Sequence, residues 1–363
     1  MKRFNAGAPH RATDDARVAH YSAASDLVRR TLAQHGLMPA AQEGDAGGLP
    51  FASPDITGLF GRLGTAHRRA PSVEAALPAG ASFERQTYTC ASGTRAYRTY
   101  VPSTGTQGIA GVVLMLHGCT QTPEDFAAGT GMNALAETHR LAVVYPHQAR
   151  GENAQSCWNW FRRGDQMRGR GEPALLAGLV AQVASQHATP TTPVFVAGLS
   201  AGAAMAVILG ETYPEVFSAV GAHSGLPFAA ATDMPSAFAA MAGQAPRAAG
   251  SSVKGTVPTI VFHGSADTTV HPSNGDRIAR DAHHPDVHQP LVTDNQSTVA
   301  GRRVDRTVTT TQQGRPVLEH WRIDGLGHAW SGGQPAGSYT DPAGPDASGE
   351  MIRFFFETTS ESK

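Results

Sequence analysis

The sequence predicts an α/β fold, with a mostly parallel sheet covered by helices on both faces. Three observations predict it. The runs "GVVLMLHG", "LAVVYP", "PVFVAGLS" and "PTIVFHGSAD" are too uniformly apolar for strands with one wet face. They alternate with segments of helical length and spacing, which places the strands in parallel with helices crossing over them. Forty glycines and 24 prolines in 363 residues punctuate the transitions and argue against a helical bundle. The length allows a sizeable core.

Residues 1–80 stand apart. Asp14 and Asp15 are candidate helix caps, and Val18, Tyr21, Leu27, Val28 and Leu32 fall near helical spacing through Gln34. The "GLMPAAQEGDAGGLPFASPD" that follows reads as linker or irregular wrap. We therefore expect an N-terminal extension over 1–80 and an α/β domain over 81–363. The extension is expected to pack on the domain, with homo-oligomer formation as the alternative. From about Ser82, "FERQTYTC" and "RAYRTYVP" alternate either side of "ASGT", the pattern of a hairpin. "GVVLMLHG" is a buried strand, Asn133 to His139 a helix, and "LAVVYP" a second buried strand. "EPALLAGLVAQVASQ" is a helix, "PVFVAGLS" a strand and "AGAAMAVILGETYP" a helix. "SAVGAHSG" and "PTIVFHGSAD" repeat the strand pattern, "LEHWRIDGLGH" is the last strand, and "ASGEMIRFFFE" closes the chain as a helix.

Composition excludes several function classes. A net charge of −1 with 16% charged residues gives no electrostatic case for nucleic acid or an anionic membrane. No run of 18 apolar residues is present to span a bilayer. The N-terminal "MKRFNAGAPHRATDDARVAHY" has two basic residues but no apolar stretch behind them. As written the chain is expected to be cytoplasmic, and secreted or periplasmic if a signal has been removed. Cys90, Cys119 and Cys157 are an odd number without zinc spacing, which favours free thiols over a disulfide framework.

The chemistry starts at "VAGLSAGAAM", where Ser200 stands between Gly198 and Gly202 at the junction of a strand and a helix. The bare G-x-S-x-G pattern is weak in a chain with so many glycines. In strand–turn–helix context it is a nucleophile elbow, in which a strained turn lifts a serine hydroxyl above the sheet edge and bulkier neighbours would collide. An α/β-hydrolase fold then requires an acid and a histidine, in that order, on loops after later strands. Asp267 directly follows the buried "TIVFHG" run, whereas Asp276, Asp281 and Asp286 do not. His328 lies in a Gly-rich loop after the last strand. Of the other histidines beyond Asp267, His320 falls within a strand, His271 is too near the acid, and His283, His284 and His288 belong to a polar insertion. Ser200 is thus the expected nucleophile, His328 the base and Asp267 the group that orients it. The expected oxyanion donors are the Ala201 N–H at the helix start and the Cys119 N–H after the first buried strand. The set calls for no cofactor and no metal.

With these residues in place, "LMLHGCTQTPEDFAAGTGMNALAE", "SCWNWF", "GRGEPALLAGLV", "VAGLSAGAAMA", "HSGLP", "HGSAD" and "GLGHAWSGG" resemble the poly(3-hydroxybutyrate) depolymerase-like esterases. Those are related to the feruloyl and acetylxylan esterases of carbohydrate esterase family one. The resemblance spans roughly residues 82–356 and implies the same triad, with Cys119 in the oxyanion loop. It implies a serine carboxylic ester hydrolase, acting through an acyl-enzyme on short 3-hydroxyalkanoate-type polyester or oligomers. A feruloyl or acetylxylan esterase is the alternative. Ala203 stands where the family often has a third glycine. No Thr/Ser-rich linker or polymer-binding domain is recognisable, so soluble oligomers or amorphous polymer are expected rather than crystalline polyester. Trp158 and Trp330 are candidate substrate-binding residues, with burial in the core as the other reading. Cys119 and Cys157 both fall in segments expected near the site, and the sequence leaves a disulfide between them open. "DAHHPDVH" has metal-site composition without metal-site spacing and reads as a solvated loop.

Overall fold

The computed structural model describes residues 77–244, 257–282 and 289–359. The helix expected over 18–34, and His283, His284 and His288, lie outside the described residues. The expected hairpin is formed by β1 (Ser82–Cys90) and β2 (Gly93–Val101), which pair antiparallel from Ser82↔Val101 to Cys90↔Gly93. Next come β3 (Gly111–Leu116), α1 (Pro123–Thr130), α2 (Met132–His139), β4 (Leu141–Pro146), α3 (Gly171–His187) and β5 (Val194–Leu199). They are followed by α4 (Ala201–Thr212), β6 (Ala219–His223), α5 (Met234–Met241), β7 (Thr259–Gly264) and α6 (Ser273–Asp281). The described chain ends with β8 (Leu291–Val299), β9 (Arg302–Thr310), β10 (Pro316–Ile323), the short pair β11 (Trp330–Ser331) and β12 (Thr340–Asp341), and α7 (Ala347–Thr359).

The main sheet has ten strands in the order β1-β2-β4-β3-β5-β6-β7-β10-β9-β8. Strands β4, β3, β5, β6, β7 and β10 run parallel, and the pairs at either edge are antiparallel. This is the α/β-hydrolase architecture. The sequence reading did not anticipate the β8–β9 hairpin. β8 is solvent-exposed along nearly its whole length, so it carries no apolar alternation to announce it.

The uniform apolar runs are explained by a core on each side of the sheet. Val112, Leu114, Val196 and Val220 pack with α3, α4, α5 and Ile278 of α6 on one face. Val113, Met115, Phe195 and Ile260 pack with α1, α2 and Met351, Phe354 and Phe355 of α7 on the other. Side chains alternate between the faces, so both parities of each strand must be apolar. Each fully buried Val, Leu, Ile or Phe contributes about 1.5–3 kcal/mol relative to exposure. α7 is further held by a buried carboxylate, because Glu319 on β10 accepts from Arg353 of α7 and from Arg306 of β9. No helix among the described residues is long and apolar enough to cross a membrane.

Candidate active site

Ser200 sits between the end of β5 and the start of α4 with φ +57° and ψ −118°. A side-chain-bearing residue there costs roughly 1–3 kcal/mol, and the surroundings over-determine it. The Ser200 N–H donates to His223 O at 2.9 Å, and the Ser200 carbonyl accepts from Ala204 N at 3.0 Å. The flanking glycines are steric requirements. A Cβ on Gly198 would lie 2.4 Å from the Gly202 carbonyl carbon, and one on Gly202 would lie 2.0 Å from Leu116 O. Gly202 therefore does more than allow the turn, since it lets the loop after β3 reach the elbow. Ala203 is fully buried against Gly225 and faces away from any open surface.

Asp267 and His328 follow the C-terminal ends of β7 and β10, the rim on which Ser200 follows β5. His328 Nδ1 and Asp267 Oδ2 are 2.8 Å apart. The other carboxylate oxygen accepts from Thr269 N at 2.9 Å and Val270 N at 2.8 Å. Burial alone would raise the Asp267 carboxyl. The hydrogen bonds of His263 and His328, the charge of His328 and the Val270 N–H outweigh it and hold the group well below the usual carboxylate range. An ionised Asp267 only accepts, so Nδ1 of His328 carries its proton and Nε2 keeps a lone pair. The loops bearing the two residues are in direct contact. Ala266 N donates to Leu326 O at 3.0 Å, and a Cβ on Gly264 would lie 2.1 Å from that oxygen. No hydrogen bond joins Ser200 Oγ to His328 among the described residues.

The loop after β3 carries the expected oxyanion donor. Gly118 N donates to Gln121 Oε1 at 2.9 Å, Thr120 N to Gln155 O at 2.8 Å and Gln121 N to Gly118 O at 3.3 Å. The Cys119 N–H has no partner among the described residues. Ala201 is the first residue of α4, whose N–H has no intrahelical carbonyl to reach. The loop is clamped from several sides. Cys119 and Cys157 form a disulfide, so the free-thiol expectation holds only for Cys90. His117, pushed down to about 4 by burial, is neutral and accepts from Gln148 N at 3.1 Å through Nε2.

Both candidate substrate-binding tryptophans are core residues instead. Trp158 is fully buried and donates from Nε1 to His117 O at 3.0 Å, while Trp330 is buried and donates to Ser348 Oγ at 3.1 Å. Each indole satisfies its polar atom inside the protein, so neither lines a groove. Trp158 braces the loop after β3 through its bond to His117 O, and Trp330 packs edge-on against Phe126.

Two residues that the sequence reading passed over complete the picture. His223 closes β6, accepts the Ser200 N–H through its main chain, and accepts Ser331 N at 3.0 Å through Nε2. Its ring stacks on Trp330 and Phe262, at centroid distances of 5.1 and 5.8 Å. It thus ties the serine elbow to the loop that carries His328. The only signal was a histidine ending an otherwise apolar strand. Tyr339 is the second, an exposed ring 6.5 Å from that of His328. Nothing local in "GSYTD" marks it.

Comparison with known proteins identifies a family of esterases. A family model described as Esterase PHB depolymerase matches residues 95–284, a span that holds Ser200 and Asp267 and ends before His328. Poly(3-hydroxyalkanoate) depolymerase C of Paucimonas lemoignei is 37% identical over 242 residues, covering 63% of this chain and 57% of that protein. Acetylxylan esterase A of Talaromyces purpureogenus is 31% identical over 201 residues, 51% of each. The chain spans between half and two thirds of the length of these curated relatives. Among solved structures, the acetyl xylan esterase from Aspergillus awamori superposes with a TM-score of 0.57 at 19% identity. It covers 76% of this chain and 99% of that one, and it shows the shared fold. With the family model matching just over half of its residues, the chain belongs to the PHB depolymerase esterase family.

Proposed function

We propose that the protein is a serine carboxylic ester hydrolase acting on short 3-hydroxyalkanoate-type ester chains. One observation carries the reading. A hydrogen-bonded Asp267–His328 pair shares the C-terminal rim of the sheet with a serine held at positive φ, at the start of α4 and close to a loop whose Cys119 N–H has no partner among the described residues. Ser200 Oγ attacks the ester carbonyl carbon as His328 Nε2 takes its proton, and the carbonyl π pair moves onto oxygen. The Cys119 and Ala201 N–H groups hold that oxyanion in a site where they need no reorganisation. Collapse expels the alcohol with the proton from His328 and leaves an acyl-serine. Water, deprotonated by the same nitrogen, then releases the acid. Asp267 stays ionised throughout and stabilises the imidazolium.

The choice of a hydroxyalkanoate chain rests on the family and on the 37% identical depolymerase. The acetylxylan esterase relatives favour a second reading, acetyl ester hydrolysis on a polysaccharide. The Cys119–Cys157 disulfide fits an oxidising compartment, so we place the working protein outside the cytoplasm. Residues 81–363 are proposed as the catalytic domain and 1–80 as an extension without catalytic groups. The test compares kcat/KM on 3-hydroxybutyrate oligomers, p-nitrophenyl butyrate, methyl ferulate and acetylated xylan at one pH. The cognate class should lead at least about tenfold, equivalent to 1.4 kcal/mol of transition-state binding. A lead for acetylated xylan or methyl ferulate overturns the substrate and leaves the triad standing. Failure of a fluorophosphonate to label Ser200 overturns the mechanism.

A further inference from the structure

We propose that Tyr339 is a substrate-contacting specificity residue, which binds the alcohol side of the scissile ester. The phenol oxygen is 3.2 Å from Thr120 Oγ1, the residue after the oxyanion donor Cys119. The ring stands edge-on to His328 at 6.5 Å. Tyr339 therefore spans from the base to the oxyanion loop. An ester bound there puts its carbonyl oxygen on the Cys119 N–H and its leaving oxygen at His328 Nε2. The side bounded by both His328 and Thr120 is the side from which the alcohol departs.

Two further facts separate this residue from ordinary loop surface. First, Tyr339 has φ +54°, a left-handed conformation that strains a side-chain-bearing residue and not glycine. The strain supports no core packing, because the side chain is 40% exposed. Second, its segment is fixed. Trp330 N donates to Tyr339 O at 2.7 Å, Gln121 Nε2 to Ser338 O at 3.1 Å and Ser338 N to Asp125 Oδ1 at 3.0 Å. Gly337 lies so close to Gly129 that a Cβ would come within 2.3 Å of its Cα. A rigid, clamped segment thus presents an amphipathic ring at the mouth of the site. In the Tyr339–Thr120 pair one hydroxyl hydrogen makes the contact. When Thr120 donates, the phenol O–H is left to point at an acceptor in the substrate. A hydroxyalkanoate chain supplies one, the carboxyl or ester oxygen of the next unit, and its branch methyl packs on the ring.

The inference rests on the ester hydrolase reading above, and its test isolates it. Methyl 3-hydroxybutyrate and the linear 3-hydroxybutyrate dimer share one acyl group and differ only in the alcohol. The ratio of their kcat/KM values, dimer over methyl ester, is measured for the wild type, Tyr339→Ala and Tyr339→Phe. The ratio should fall at least fivefold in Tyr339→Ala and at least threefold in Tyr339→Phe, which keeps the ring and loses only the donor. Smaller changes, or a parallel fall on both esters, overturn the proposal. If Tyr339→Ala does not fold, the Tyr339→Phe ratio decides alone. If the wild type hydrolyses ferulates and neither hydroxybutyrate ester, the substrate reading fails by itself. The same comparison between methyl ferulate and feruloyl arabinose then tests the alcohol-side placement, with the same thresholds.

Discussion

Replacing His223 with Leu should destabilise the protein by about 3 kcal/mol and slow turnover, although the residue touches no substrate. The variant leaves the fully buried Ser331 N–H without its acceptor, which costs about 1–3 kcal/mol. It also removes a ring stacked on Trp330 and Phe262, worth about 0.5–1.5 kcal/mol per pair. At about 2.1 cal/mol/K of unfolding entropy per residue, about 3 kcal/mol lowers the Tm of a chain of this size by roughly 4–5 °C. His223→Gln keeps an acceptor for Ser331 and should recover part of the loss. A second readout is specific to the imidazole. Burial first, then the charges of His263 and His328, push His223 down to about 3, so the folded state keeps it neutral. Below the unfolded value near 6.5 the unfolded chain takes up a proton that the folded chain refuses. Its contribution to stability is therefore complete above pH 6.5 and is lost as pH falls towards 3, at about 1.4 kcal/mol per pH unit. Urea unfolding of wild type and His223→Gln at pH 7.5, 6 and 5 measures this as a difference, which cancels the other titrating groups. Equal stability of His223→Leu and wild type at pH 7.5, or an unchanged acid slope in His223→Gln, would refute the reasoning.

Other perturbations give sharp outcomes. Gly202→Ala forces a Cβ to within 2.0 Å of Leu116 O, so it should displace the oxyanion loop and cut kcat at least a hundredfold; a variant with near-normal kcat would show that the loop has slack. Reducing the Cys119–Cys157 bond opens a 38-residue loop and should cost about 4 kcal/mol, read as a lower Tm with dithiothreitol; an unchanged melt would contradict this. Ser200→Ala should unfold like the wild type to within about 2 kcal/mol and lose several orders of magnitude in ester hydrolysis, and residual turnover near the wild-type rate would remove Ser200 from the mechanism.

The features the sequence announced are those with local causes. An apolar run between turn residues marks a doubly covered strand, and the elbow glycines mark a turn too tight for Cβ atoms. Asp267 was legible because it directly follows a buried strand, whereas α1 went unread although its T-P-E-D start carries a local cap, Thr122 accepting from Asp125 N. The features it hid depend on partners far along the chain. Whether Trp158 faces a groove or the core is decided by His117 O, 41 residues away. Whether Cys119 is a thiol is decided by Cys157. The importance of His223 appears only once Ser331, 108 residues later, is seen to donate to it. The β8 strand is legible only through its pairing with β9.

The acid and the base stand 61 residues apart in sequence yet share one hydrogen bond. Between them the chain makes α6 and the β8–β9 hairpin before β10 returns to lie against β7. During synthesis at 5–20 residues per second, Asp267 leaves the ribosome roughly 3–12 s before His328. Throughout that interval Ser200 is without its proposed base. On the proposed assignment, a chain that ends before β10 lacks the base and should lose several orders of magnitude of ester hydrolysis.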